Sequence, residues 1–328
     1  MKSKLLVIAA TLCILLCGCH RLTIRGEVTE VHEDSFIMVP DGGDPITVTM
    51  DENTVAFTWS KDVTVSDFKS GAVDGIIVSV TGDVKQDAMD ASEVQIEGLR
   101  IRNYHTLADG TPVDLFKSSL YHTYSLEDGR ELLFVQNPTN VEETYISGIG
   151  SLRDLPEAAQ ENIKAYYDVQ GLLYDEIQIL EDAYDACLAV ENFQTCTLGQ
   201  EIFPSAANEE IIYFLTIASL PKTELRLCAA FDRQTGEEIP MDDIFDCPED
   251  EIIVRLAEIA GIDDGALIEE MKDAFKPEYV TVSQNFLEVN FPAGTLSGEE
   301  LAFGMGFEYD EAMRSLLQPW AIPSGVNE

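Results

Sequence analysis

Basic residues are scarce in this chain. There are 20 Lys and Arg against 60 Asp and Glu, a formal net charge of −40 at pH 7. A surface of that sign repels nucleic acid and anionic headgroups, so nucleic acid is excluded as a partner. It attracts cationic partners or divalent ions, or it serves as a solvated face that aids solubility. Histidine is scarcer still: His20, His32, His105 and His122 are the full set, all in the first half. The second half therefore has no histidine to sit beside a cysteine nucleophile, which argues against a Cys–His dyad there. No HExxH, GxSxG or glycine-rich phosphate loop is present. Asp263-Asp264-Gly265 lacks the alternating acids of a calcium loop. No group of aromatic residues marks a stacking platform. The acids are too numerous for any carboxylate pair to be singled out for glycoside cleavage. The expectation is a protein that is not an enzyme, with no catalytic residue, cofactor or metal set and with its ligand-binding residues unassigned.

The N-terminus carries the sharpest signal. Met1-Lys2-Ser3-Lys4 is followed by an apolar run over residues 5–16, the order of an export signal. The run falls short of the roughly 20 residues that span a bilayer, and no later segment is long and apolar enough to do so. It ends in Leu16-Cys17-Gly18-Cys19, which resembles a bacterial lipobox. Cleavage after residue 18 and lipidation of Cys19 would tether the rest outside the cytoplasm, and a diacyl anchor holds stably where one chain is marginal. The membrane, through lipid on Cys19, is thus the first expected partner.

Seven cysteines are present. Cys13 and Cys17 leave with the signal and Cys19 takes the lipid. Cys187, Cys196, Cys228 and Cys247 remain, an even number in an exported chain. Local pairing, Cys187 with Cys196 and Cys228 with Cys247, would contribute about 2–4 kcal/mol per bridge. Four buried free thiols are the alternative. Zinc is disfavoured, because there is no CxxC pair and no histidine close to these cysteines.

Apolar residues make up 45% of the chain, enough for ordinary cores, and about 300 mature residues suggest two domains. The fold class expected is α+β: a small N-terminal β-barrel, OB-like, then an antiparallel sheet with helices. Residues 22–103 read as short strands broken by turns such as Pro40-Asp41-Gly42-Gly43-Asp44-Pro45 and a turn over residues 67–71. Residues 104–144 form a connector with a hairpin across Glu127-Asp128-Gly129. Residues 145–328 alternate hairpins with helices. The first helix starts near Asp154-Leu155-Pro156-Glu157, and Gly171 either ends or kinks it. Later helices begin at Asp246-Cys247-Pro248-Glu249 and near Asp264. Tyr166, Tyr167, Tyr174 and Tyr184 read as helix packing or as a ligand groove, and Trp320 as a core plug or a binding anchor.

The order of phrases in the second part resembles a known family. Tyr145-Ile146-Ser147-Gly148-Ile149 precedes the first long helix. A strand leads into Phe231-Asp232-Arg233-Gln234-Thr235-Gly236-Glu237-Glu238-Ile239, followed by Asp243-Ile244-Phe245. Later come Phe286-Leu287, Val289-Asn290-Phe291 and Pro319-Trp320-Ala321-Ile322-Pro323. Over residues 145–323 this is similar to the extracytoplasmic domain of lysozyme-sensing anti-sigma factors, which is also attached to some peptidoglycan deacetylases. The family often has a Gly-Gly-Ala-His turn between two central strands, where this chain has Ala218-Ser219-Leu220-Pro221-Lys222-Thr223. The resemblance implies a membrane-anchored binding or sensing module for an envelope component or a secreted cationic protein, with a protein or cell-wall ligand. The alternatives are an accessory or hydrolytic enzyme of wall polymers and a structural or assembly lipoprotein.

Overall fold

The computed structural model describes residues 21–85, 87–139, 141–297 and 301–324; Cys19 and the expected export signal lie outside them. The fold is mixed α+β, rich in antiparallel strands and with few helices. The chain divides into two compact units, Met1–Val135 with Leu180–Thr195, and Gln136–Ile179 with Cys196–Glu328.

The first unit holds β1 (Arg21–Val31), β2 (Ser35–Pro40), β3 (Ile46–Thr49), β4 (Val55–Thr58), α1 (Val65–Ser70), β5 (Ile76–Lys85), β6 (Ala88–Thr106), β7 (Pro112–Ser118), β8 (Tyr121–Ser125) and β9 (Glu131–Gln136). β1 pairs antiparallel with β2 and β5, and β2 pairs antiparallel with β3. β6 is the common partner: it pairs antiparallel with β5 and β7, and parallel with β3 and β4. Alternation decides which side chains go inward. Val28, Phe36, Met38, Val48, Val78, Val80, Val94 and Ile96 share one core. The expected turn over residues 67–71 is instead the end of helix α1. Thr64 and Asp67 form a capping box at its start, and Gly71 closes it in the left-handed region. This short helix sends Phe68 into the core, where its ring meets Phe36 edge-on at 5.2 Å. The expected boundary at residue 103 falls inside β6, which continues to Thr106.

The second unit holds β10 (Tyr145–Ile146), β11 (Gly150–Ser151), α2 (Glu157–Gln170), the start of α3 (Glu176–Ala189), β12 (Cys196–Ala207), β13 (Ile211–Ser219), β14 (Glu224–Asp232), β15 (Glu238–Ile239), α4 (Glu249–Ala260), α5 (Gly265–Ala274), β16 (Val280–Val282), β17 (Phe286–Phe291), β18 (Phe303–Glu308) and α6 (Glu311–Leu316). β12 to β15 form antiparallel neighbours in chain order, as do β16 to β18. The period of two in β13 splits its side chains between two cores. Ile212 and Phe214 face a core with Ala159, Ile163 and Tyr167 of α2. Ile211, Tyr213 and Leu215 face a second core with α4, β16–β18 and α6. Gly171 ends α2 rather than kinking it. Gly236, at φ 70°, brings the turn after β14 against α2; a Cβ there would sit 2.4 Å from the Ala159 carbonyl oxygen.

Trp320 is half-buried against the second core, beside a segment pinned by hydrogen bonds. Tyr213 donates its hydroxyl to the Ala321 carbonyl at 2.7 Å, and Asn208 donates to the carbonyls of Trp320 and Ile322. The four cysteines weighed for pairing are free thiols: Cys187 and Cys228 are buried, Cys196 and Cys247 half-buried. Burial pushes the Cys228 thiol up to about 12, against hydrogen bonds from the Val282 backbone and Ser205.

Candidate functional site

The wall of the first unit that faces away from its core carries a concentration of charge and aromatic rings. With Ile24, Val78, Val80, Val94 and Ile96 turned inward, their neighbours turn outward. Strand register lines these up in rows. One row runs Arg25, Ser79, Gln95, Phe57 across β1, β5, β6 and β4; the next runs Thr23, Thr81, Glu93, Val55. Thr23 and Thr81 hydroxyls lie 2.9 Å apart.

At the Arg25 end the wall borders a cleft of about 350 Å³. Arg25, Arg100 and Arg102 line it with Asp114, Phe116, Tyr121 and Glu131. Three of the chain's ten arginines therefore meet in one place. Each has a carboxylate. Arg25 donates through Nε to Glu97 at 2.7 Å and through Nη1 to Asp41 at 2.8 Å. Burial works to lower its guanidinium, but these two hydrogen bonds win and hold it above its ordinary value. Its plane also lies over the Phe116 ring, 5.2 Å from the centroid. Arg102 and Arg100 share Glu27, at 2.7 and 3.3 Å, and Arg102 also lies 3.9 Å from Asp114.

A bulge aims Arg102. The β6–β7 register shifts between Ile101 and His105, and Asn103 there adopts φ 51°. Asparagine tolerates this left-handed geometry better than most residues. The Asn103 amide is held by Asp114 at 2.9 Å, so one carboxylate fixes the bulge and faces the arginine beside it. Such bulges re-aim side chains near functional surfaces.

Inside the cleft, burial raises the Glu131 carboxyl above its ordinary value, while a hydrogen bond from Thr123 and the Arg25 charge act against the shift. Burial likewise raises the Tyr121 phenol, whose ring stacks on Phe134 at 4.8 Å. Charged donors, acceptors and rings thus line one cavity, and its arginines are already paired. That arrangement suits reversible recognition of a polar ligand.

At the far end of the wall two aromatic side chains come together. Phe57 and Trp59 lie side by side with ring centroids 6.2 Å apart and planes tilted by 52°. Trp59 is 59% exposed and Val55 57% exposed. β4 has only four residues between turn segments, too short for its alternation to stand out, and this hid the pair in the sequence. The cysteines suggested from sequence take no part in this wall. Among the described residues no group of three or more His, Cys, Asp or Glu side chains is placed to hold a metal ion.

No family model matches the sequence, and no curated protein matches it. Among solved structures, the chain is similar to a DUF3298-family protein from Pseudomonas aeruginosa PAO1, at 12% identity and a TM-score of 0.29, over 65% of this chain and 97% of that one. It is also similar to a DUF3298-family member from Bacteroides fragilis, at 9% identity and a TM-score of 0.32, over 68% and 92%. These structural neighbours are members of one bacterial family, and the functional reading rests on this chain's own residues.

Proposed function

We propose that this chain is a non-catalytic binding module, held outside the cytoplasm by lipid on Cys19, that takes an envelope component or a secreted cationic protein. The observation that carries the reading is the cleft of the first unit. Its guanidiniums, carboxylates and rings form a mixed surface whose charges neutralise one another, the make-up of a recognition site. The circuit of pairings β1–β2–β3–β6–β5–β1 supports reading the first unit as an OB-like barrel, a scaffold that presents ligands on its outer strands. The lipobox supports the anchor. The phrases Tyr145-Ile146-Ser147-Gly148-Ile149 and Phe231-Asp232-Arg233-Gln234-Thr235-Gly236 support a likeness of the second part to extracytoplasmic sensor domains.

The test is binding of the lipid-free mature chain to lysozyme, with an equally basic unrelated protein as control. Salt is set at about 0.3 M, where long-range attraction to the acidic surface is screened. Retention of lysozyme alone, weakened by Glu131→Gln, which removes a carboxylate of the cleft, is the expected result for a secreted cationic partner. Failure with lysozyme together with retention on purified wall fragments assigns the cleft to a wall component. Equal retention of both basic proteins, or none of lysozyme or wall, overturns the reading.

A further inference from the structure

We propose that the β4 end of the outer wall is a stacking surface for an uncharged oligosaccharide. The inference deepens the reading of the first unit as the binding unit, and names a ligand class for a different part of its wall. Val55 and Phe57 occupy outward positions of β4, and Trp59 follows directly after its last residue. Exposing a tryptophan by 59% and a valine by 57% on one strand face leaves apolar area in water, and such patches mark contact sites. Phe57 is half-buried beside Trp59, so the exposed part of the pair is the Trp59 ring.

The surroundings select the occupant. Beside the rings, the same rows present Glu93 and Gln95 of β6 and Thr81 and Ser79 of β5. Glu93 and Gln95 set a carboxylate and an amide at the rim of the aromatic face, while the Thr81 and Ser79 hydroxyls are engaged by Thr23 and Glu97. A sugar ring matches both: its C–H face packs on an aromatic ring by dispersion, and its hydroxyls meet carboxylate and amide groups. A polyanion is repelled by Glu93 and by the charge of −40. A cationic protein would draw on the carboxylates and leave the rings without a role.

The platform is also stiff. The Trp59 amide donates to the Ile96 carbonyl at 3.1 Å. Thr58 donates through Oγ1 to the Val63 carbonyl at 3.0 Å and accepts from the Ser60 amide at 2.9 Å. On the other side, Thr54 donates to the Ala91 carbonyl at 2.8 Å. A pinned backbone lowers the ordering cost of binding.

The experiment uses the mature chain and three uncharged hexasaccharides: a β-1,4-glucan, a β-1,3-glucan and a β-1,4-linked N-acetylglucosamine oligomer. Calorimetry reads affinity. In a Trp320→Phe background Trp59 is the only tryptophan left, so its emission reports directly. The expected result is saturable binding of at least one sugar with a shift in Trp59 emission. Trp59→Ala and Phe57→Ala would each weaken it by roughly ten-fold or more, as loss of a stacked ring does. Val169→Ala, at an exposed residue of the second unit, leaves sugar affinity unchanged, and retention of lysozyme or wall fragments is read separately, so either reading can fail alone. Sugar binding that survives Trp59→Ala overturns the proposal, as does no saturable response to all three sugars. A dimer that Trp59→Ala converts to monomer, without sugar binding, also overturns it and assigns the strip to contact between copies.

Discussion

The two units use their principal sheets in opposite ways. In the second, β13 sends Phe214 to a core on one face and Tyr213 to a core on the other, and both are fully buried. In the first, β6 sends Val94 and Ile96 inward but leaves Glu93, Gln95 and Glu97 on the outer wall. A sheet covered twice has little surface left for a ligand, so its residues answer to packing. A sheet covered once can spend its other face on recognition. The contrast teaches where to look in an acidic chain whose charges are otherwise uninformative: at the face where apolar rings and arginines stay exposed although nothing in the core requires them.

The largest expected effect sharpens that contrast. Phe231 is fully buried and meets the rings of Tyr166 edge-on at 5.1 Å and Phe214 at 6.1 Å. Phe231→Ala should lower stability by about 3–5 kcal/mol, read as a drop in the denaturant midpoint at unchanged slope. Gly236→Ala comes next, because it meets the Ala159 carbonyl and must hold a left-handed backbone. The expected loss is about 1–3 kcal/mol, and a silent substitution would show that the α2 contact is slack.

Alkaline pH gives a smaller, broader effect. Burial pushes the Cys228 thiol and the Tyr166 and Tyr174 phenols up to about 12, above ordinary values of 9.0 and 10.0. Their folded values are raised, so the stability they contribute is whole below the ordinary values. It is lost as pH climbs from about 9 towards about 12. Thermal unfolding followed against pH should weaken through that window. Tyr166→Phe should flatten the decline, and an unchanged profile would break the link to these groups. Smallest of all, Trp59→Ala should change stability by no more than about 0.5 kcal/mol despite removing a large side chain. A loss approaching that of Phe231→Ala would show the outer wall to be a core and would erase the comparison.

Elements with strong period and clear punctuation were legible before any coordinates. The α4 helix follows Cys247-Pro248 and stops at Gly261, and α5 starts with Asp264 as its cap. The hairpin β8–β9 lies across Glu127-Asp128-Gly129, where its turn residues put it. The failures have physical reasons. Thr64 supplies a cap that made a helix of an expected turn. Arg102, Asn103 and Tyr104 break the apolar alternation of β6, so its last three residues, 104–106, fall in the expected connector. The cleft was hidden for a different reason. Arg25 and Glu97 are 72 residues apart and Arg102 and Glu27 are 75 apart, and only strand pairing brings them together.

The length of β6 has a consequence for motion. It runs 19 residues from Ala88 to Thr106, with β5 along one stretch, β3 and β4 along another, and β7 along the last. A slip by one residue would turn Val94 and Ile96 out to water in one half and break the Arg100–Phe116 register in the other. Neither half can slide alone, so the strand behaves as a clock spring fixed at both ends. Its central amides, around Val94 and Ile96, should be among the last in the first unit to exchange their hydrogens with solvent, opening only when that unit unfolds.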